Sequence, residues 1–374
     1  MQKVDLGICN TKLIESYIKK FSAKNIFLVH GKKSFRESGA HGLMVELFKN
    51  YSFTKFSDFS SNPKIEDVKK GINLYKLNKI DLIIAVGGGT AIDIAKLIKG
   101  LVTAKGNLEK QVKNNFCSEN KTPLIAIPTT CGSGSESTHF AVVYIDNKKY
   151  SLANKSLLPD YALVDGNLSL SASNFLKASS GLDALCQSIE SHWSVNSNEE
   201  SRNFSLIAMK KLINNLKSFI FSPSKKSINE VALASNLAGR AINISKTTAP
   251  HALSYTITSN FSVPHGCAVA LGMPYFIKYN SNFQLDNLNE GVSEDDLKNR
   301  FYEIFNCFGV NNSLECSEKF ISLVTDIGID LNYFKNKISK NDLKLIANNL
   351  NEQRAKNNPR KINKSDLIHN FLEI

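Results

Sequence analysis

His251 and His265 stand fourteen residues apart, each directly after a proline, in TTAPHALSYTITSNFSVPHG. Upstream, GLDALCQSIESHWS (residues 181–194) carries Asp183 and Gln187 four apart, so on a helix the two side chains share a face. Leu182, Leu185, Ile189 and Trp193 form an apolar stripe, which reads as an amphipathic helix. A carboxylate among apolar neighbours calls for a counter-charge. A divalent metal with two imidazoles supplies it. Asp183, His251 and His265 then make a three-ligand site with an open position, the arrangement a catalytic metal needs. The same residues admit a plainer reading, with Asp183 capping its helix and each histidine satisfied in packing. His30, His41, His139, His192 and His369 show no partner spacing and read as structural or surface residues.

A second chemistry lies in VGGGTAID, residues 86–93. Three glycines between a buried strand and a helix let backbone N–H groups approach an anion without Cβ interference. The helix N-terminus adds about half a positive charge. A pyrophosphate fits such a turn, although it is neither a G-x-G-x-x-G fingerprint nor a P-loop, and a tight turn with no ligand has the same look. PTTCGSGSEST, residues 128–138, follows another strand and lines up hydroxyls and glycines where open α/β sheets bind ligands. Two such loops on one sheet favour a dinucleotide over a solvated loop.

These residues need a scaffold. KNIFLVH (24–30), IDLIIAV (80–86) and PLIAIP (123–128) read as buried strands. The intervals between them suit β–α–β crossovers and a parallel sheet. Helical stretches are expected at 39–50 and after the glycine turn. SLANKSLLPDYALVDG, near 151–166, reads as a β edge returning to the sheet. Beyond about residue 167 the apolar residues recur at three and four over 174–220, 228–245 and 312–350, without further strand signal. The expected organisation is an α/β nucleotide-binding domain over 1–166 and an all-helical domain over 167–374. In NKSDLIHNFL, Asn363 and Asp366 resemble a capping box.

Composition bounds the partners. At 374 residues the chain is long enough for two cores. It is 42% hydrophobic and 21% charged, with no apolar run of about 18 residues, so no membrane span is expected. The start, MQKVDLGICN, lacks a secretory pattern, and seven cysteines without CxxC pairing read as reduced cytoplasmic thiols. The net charge of +12 is scattered and not interleaved with aromatics, which argues against nucleic acid and for a small anionic substrate or cofactor.

The motifs GGGTAID, PTTCGSGSE, LLPDYALVD, GLDAL, PHALSY, VPHG and NNPRKI occur in that order. As an ordered set they resemble the iron-containing (group III) alcohol dehydrogenases over nearly the whole chain. The resemblance implies a Rossmann-like N-terminal domain, an all-α C-terminal domain, a metal and a nicotinamide in the cleft between them, and a homodimer. It implies Asp183, His251 and His265 as metal ligands. Gly88, Gly89, Thr90 and Asp93 match the family's pyrophosphate loop. Asn62, Thr129, Thr130 and Ser133 match other nucleotide contacts, and Lys149 a lysine that reaches the nicotinamide ribose.

Departures from the family pattern carry information. Its usual fourth ligand, a histidine four after the aspartate, is Gln187 here, a weaker and harder ligand that puts iron affinity in doubt and admits zinc. A histidine common in a proton-relay position is Tyr255, whose phenol favours donating to an alkoxide. Tyr255 and the metal-bound His251 are thus the expected catalytic pair. With SHWSVNSNEESR and SKTTAPHALSY, these departures resemble a subgroup, the phosphonoacetaldehyde reductases, which make 2-hydroxyethylphosphonate. A phosphonate needs cationic partners, and Lys246, Arg202 and Arg240 are the candidates. An acidic residue that favours NAD is replaced by Gly31, followed by Lys32 and Lys33, so NADPH is expected ahead of NADH. Three alternatives stand beside this reading: a general short-chain alcohol dehydrogenase, a lyase resembling the dehydroquinate synthases, which recycles its NAD, and a nucleotide-binding scaffold without metal.

Overall fold

The computed structural model describes residues 2–146 and 148–371. The chain divides into two compact units, Met1–Ser173 and Asn174–Ile374. The sequence places the break after Gly166. The seven residues that differ stay with the first unit because a 3-10 turn, Gly166–Ser169, is tied to it. Cys9 N donates to Asp165 Oδ2 at 2.9 Å, and Cys131 Sγ meets Ser169 Oγ at 3.3 Å.

The first unit is built on six parallel strands: β1 (Lys3–Leu6), β2 (Asn25–His30), β3 (Ser52–Phe56), β4 (Leu82–Gly87), β5 (Leu124–Pro128) and, after a hairpin, β8 (Tyr161–Val164). Their spatial order is β1-β8-β5-β4-β2-β3. The three strands expected from continuous apolar runs are the buried centre, since a parallel sheet is covered on both faces. Ile26 and Leu28 pack on one side, Phe27 and Val29 on the other. The residues near 151–166 do not form an edge strand. β8 lies inside the sheet between β5 and β1, and residues 148–153 form β7 (Lys148–Ala153), paired antiparallel with β6 (Phe140–Ile145) in a separate ribbon. The edge on that side is β1, whose four residues are two exposed and two half-buried.

The chain runs outward from β2 to β3, then returns to lay β4 on the other side of β2. The strand order therefore reverses between β2 and β4. In open α/β sheets that reversal opens a crevice at the carboxyl ends of the strands, where ligands bind. Gly31 follows β2, and Gly87–Gly89 end β4 and open helix α1 (Gly89–Leu101).

Among the described residues every element of the second unit is a helix. Its centre is α2 (Asn174–Trp193), packed against α3 (Glu199–Phe221), α4 (Lys225–Ser245) and α6 (His265–Ser281), while α5 (Ala249–Phe261) reaches it through His251. From Gly181 to Trp193 every residue of α2 is buried, the polar ones included. The expected amphipathic helix is thus a core helix whose polar side faces other helices. Asn363 caps the last helix by accepting from Ser365 N and Asp366 N.

Candidate functional site

In the first unit the two glycine loops touch. Gly87 has φ 154°, and a Cβ there would lie 2.8 Å from that of Ala91. A Cβ on Gly89 would fall 2.7 Å from Ser133 Oγ, so only glycine lets the second loop approach the helix N-terminus. Thr130 lies against Gly88, and Thr90 Oγ1 donates to Ser61 O at 2.6 Å, drawing the loop of Asn62 to the same corner. Gly88, Gly89, Thr90, Thr130 and Ser133 are partly open, whereas Thr129 is buried and its Oγ1 has no hydrogen-bond partner among the described residues. The backbone amides of an unobstructed helix start make this a cradle for an anion.

What holds the cradle was not visible in the motifs. Lys96, fully buried, donates to Thr138 O at 2.8 Å, Thr138 Oγ1 at 3.0 Å and Phe140 O at 3.0 Å, and also to Ser135 O. Burial pulls its ammonium down to about 8 against the attraction of Asp93 and Glu136. Asp93 accepts from Ser135 Oγ and from Val142 N at 3.0 Å. Its carboxylate therefore braces the second loop, where a nucleotide contact was expected. A carboxylate would also repel a pyrophosphate. Lys149, on β7, acts electrostatically on Asp93.

In the second unit Asp183, His251 and His265 converge. One ligand atom from each lies within 4.8 Å of the others. Three separate helices supply them. Pro250 is the second residue of α5 and Pro264 caps α6, so each proline starts the helix whose first turn carries the histidine. Gly266 lets α6 press on α2, since a Cβ would stand 1.9 Å from Ser179 O.

Both imidazoles are oriented alike. His251 Nδ1 makes a short contact with Glu190 Oε2, leaving Nε2 to face Asp183 Oδ1 at 3.2 Å. Glu190 is fully buried and also accepts from Thr248 N and Thr248 Oγ1, each at 2.9 Å. Ser254 Oγ donates to His251 O at 2.8 Å, so its lone pair is what His265 Nδ1 meets at 3.4 Å. His265 Nε2 then faces Asp183 Oδ1 at 3.9 Å. Burial would lower the His251 pKa, but Glu190 and Asp183 push it up to about 10. With Nδ1 holding the proton in each ring, two Nε2 lone pairs and a carboxylate point at one spot. A cation held there satisfies all three, and this donor set fits a divalent metal.

Residues 5–166 match the model of the iron-containing alcohol dehydrogenases, and residues 177–373 match that of the Fe-containing alcohol dehydrogenase C-terminal domain. The chain belongs to the iron-containing alcohol dehydrogenase family. It is an oxidoreductase. The chain is 29% identical to long-chain-alcohol dehydrogenase 1 of Geobacillus thermodenitrificans, over 75% of this chain and 71% of that one. It is 28% identical to the NADPH-dependent butanol dehydrogenase of Clostridium saccharobutylicum, over 94% and 91%. Its fold matches the sulfoacetaldehyde reductase of Bifidobacterium kashiwanohense solved with NAD+, with TM-score 0.87, 23% identity and 99% and 96% coverage.

Within this alcohol dehydrogenase the other expected residues separate into two groups. Gln187 is buried one turn after Asp183, and the Tyr255 ring stacks on that of His265, centroids 6.3 Å apart and 23° between planes. A cavity of about 450 Å³ beside Pro264 is lined by Phe175, Ser262, Tyr333, Phe334 and Lys337. Lys246 lies in the turn that leads to Thr248 and Glu190. The two arginines are engaged elsewhere. Arg202 pairs with Asp296 at 3.6 Å, and Arg240 stacks over Phe204 at 4.1 Å. Arg202 also acts on His192, nine residues along α2 from Asp183 and so roughly 13 Å away along the helix. Of the expected cofactor-selecting residues, Lys32 is exposed and pairs with Asp58 at 3.6 Å, a carboxylate the sequence reading did not weigh.

Proposed function

We propose that this chain reduces a small anionic aldehyde to its primary alcohol with NADPH, phosphonoacetaldehyde being converted to 2-hydroxyethylphosphonate. The observation that carries the reductase reading is the convergence of both Nε2 atoms on Asp183 Oδ1. Asp183, His251 and His265 would hold the metal, Fe2+ or alternatively Zn2+, with Gln187 contributing at most a weak amide oxygen. When bound, the metal polarises a carbonyl and the reduced nicotinamide supplies hydride. The chain's own residues do the rest. Glu190 and Ser254 keep the imidazoles in register, and the two glycine loops receive the pyrophosphate through backbone amides. Tyr255 Oη delivers the proton that completes the alcohol.

The anionic substrate is supported by the +12 net charge, by Lys246 two residues before the Thr248 that bonds Glu190, and by the sulfoacetaldehyde named for a structural neighbour. The cofactor choice is supported by Gly31 and Lys32 and by the NADPH named for a relative. The test is initial-rate reduction with Fe(II)- or Zn(II)-loaded protein, following nicotinamide absorbance. Turnover of phosphonoacetaldehyde with NADPH is expected to exceed that of neutral aldehydes. Good turnover of neutral aldehydes and none of phosphonoacetaldehyde would reject the substrate. No net NADPH consumption with any aldehyde would reject the reductase.

A further inference from the structure

The helix that carries His251 does not use the cap its sequence offers. Thr248 stands at the N-cap of α5, where a threonine hydroxyl commonly accepts from a backbone N–H one turn on. Its side chain makes no such bond. A carboxylate from another helix takes that place. Glu190 Oε1, on α2, accepts from Thr248 N at 2.9 Å and from His251 N at 3.3 Å, donors that the start of a helix leaves without helical partners. Glu190 Oε2 meets His251 Nδ1. One buried carboxylate thus caps α5 and holds the imidazole in its first turn.

The displaced hydroxyl is engaged on two sides. Trp193 Nε1 lies 2.9 Å from Thr248 Oγ1, and Thr248 Oγ1 lies 2.9 Å from Glu190 Oε1. Trp193, Thr248 and Glu190 are all fully buried. The direction of these bonds is forced. An indole N–H can only donate, so the hydroxyl accepts from Trp193 and its single hydrogen goes to Glu190. The carboxylate then meets four donors, three on Oε1 and His251 on Oε2. It accepts from all of them, so the proton shared with His251 stays on Nδ1 and the Nε2 lone pair faces Asp183. Glu190 and Trp193 lie three apart on α2, so one face of that helix supplies both ends of the relay.

We propose that Trp193 is a positioning residue for the Asp183–His251–His265 cluster. Acting through Thr248, it keeps Glu190 an acceptor and so keeps His251 in the tautomer that can ligate. A donor behind the hydroxyl strengthens the bond that the hydroxyl passes on. Without it, the hydroxyl is free to turn to the usual capping position and compete with Glu190 for the backbone donors. This inference rests on the metal reading of the cluster, and its test separates the two.

The test is Zn(II) affinity of the folded protein, read by competition with a coloured chelator, with Tm recorded beside it. Thr248→Val removes the hydroxyl and keeps the shape, and affinity should fall about 10-fold, the low end for groups behind a ligating histidine. Thr248→Ser keeps the hydroxyl and should bind Zn(II) as wild type does, even where lost packing lowers its Tm. Trp193→Phe should weaken binding about 3- to 10-fold. The two residues act in series, so adding Trp193→Phe to Thr248→Val should weaken it no further. Wild-type affinity in Thr248→Val or in Trp193→Phe, with only Tm lowered, overturns the relay and leaves that residue a packing group. Thr248→Ser as weak as Thr248→Val overturns it too, as does a double variant in which the two losses multiply. A wild-type chain that binds neither Zn(II) nor Fe(II) overturns the metal reading and the relay with it.

Discussion

In the proposed reading the glycine loops and the Asp183–His251–His265 cluster solve the same problem, holding a charged guest, with opposite materials. The loops present backbone amides at one helix start, and the side chains near them face inward as braces, Lys96 and Asp93 above all. The cluster presents side chains from three helices, and backbone only starts the helices that carry them. A backbone site needs neighbours absent, so it is written as glycine. A side-chain site needs neighbours present, so each ligand has its own support, Glu190 for His251 and Ser254 for His265.

If the two regions are independent devices, lesions in one leave the other's guest in place. Asp183→Ala should have the largest effect. It removes the anion on which both imidazoles converge, so metal content should drop to background and kcat fall by about 10³-fold or more. NADPH affinity, read by fluorescence titration, should change little. Retained stoichiometric metal in this variant would break the comparison.

Lys96→Met is the matching lesion in the first unit. It leaves Asp93 buried without its cation and three loop carbonyls without their donor, which costs about 3–5 kcal/mol by the measure of broken buried pairs. Denaturant unfolding should show that loss. In the folded fraction the KM for NADPH should rise several-fold while metal content per folded chain stays at wild type.

Glu190→Gln is milder because the amide keeps its shape, although it loses the charge and one of the two acceptor oxygens. Metal affinity should fall about 10- to 100-fold, as for other carboxylates behind a ligating histidine. It also carries a pH signature. In metal-free protein the His251 pKa is about 10 against an ordinary 6.5, so the folded state binds the extra proton in that interval. Stability should therefore decline as pH rises from 6.5 to 10. Metal occupies Nε2, so loaded protein should lack this decline, and loading below pH 10 should release a proton. Calorimetry on both forms tests this, and Glu190→Gln should flatten the metal-free curve.

How legible each region was in the sequence follows from the same contrast. The three central strands and the glycine turn stood out because burial on both faces and close backbone approach leave local marks. Asp183, His251 and His265 could be paired by chemistry, but only folding brings α2, α5 and α6 together. Glu190 and Ser254 went unnoticed because a carboxylate or a hydroxyl within a helix carries no spacing signal until its partner is known. Asp183 and Gln187 were placed on one face of α2 by their spacing, but that Glu190 is buried with them shows only in the fold. β1 and β3 were too short or too exposed to show an apolar run, and the end of β7 was read together with β8 as one edge returning to the sheet.

The smallest expected effect concerns the adenosine end of the cofactor, where the sequence showed cations and the structure adds a carboxylate. Asp58 follows β3 and pairs with Lys70 at 2.9 Å and Lys32 at 3.6 Å. All three groups are more than half exposed, so each pair is worth only about 0–1 kcal/mol. Lys32 can therefore turn to a 2′-phosphate at little cost. Asp58→Asn frees it further and should raise the ratio of kcat/KM for NADPH over NADH by about 2- to 5-fold. Lys32→Ala should lower that ratio by a similar factor. Both changes should act through KM and shrink in high salt, because screening weakens an exposed charge pair. If Asp58→Asn instead lowers kcat/KM for NADH alone, the carboxylate binds the ribose hydroxyls directly. The first unit would then hold its nucleotide with side chains at one end and backbone at the other, and the contrast with the metal cluster would narrow to the pyrophosphate.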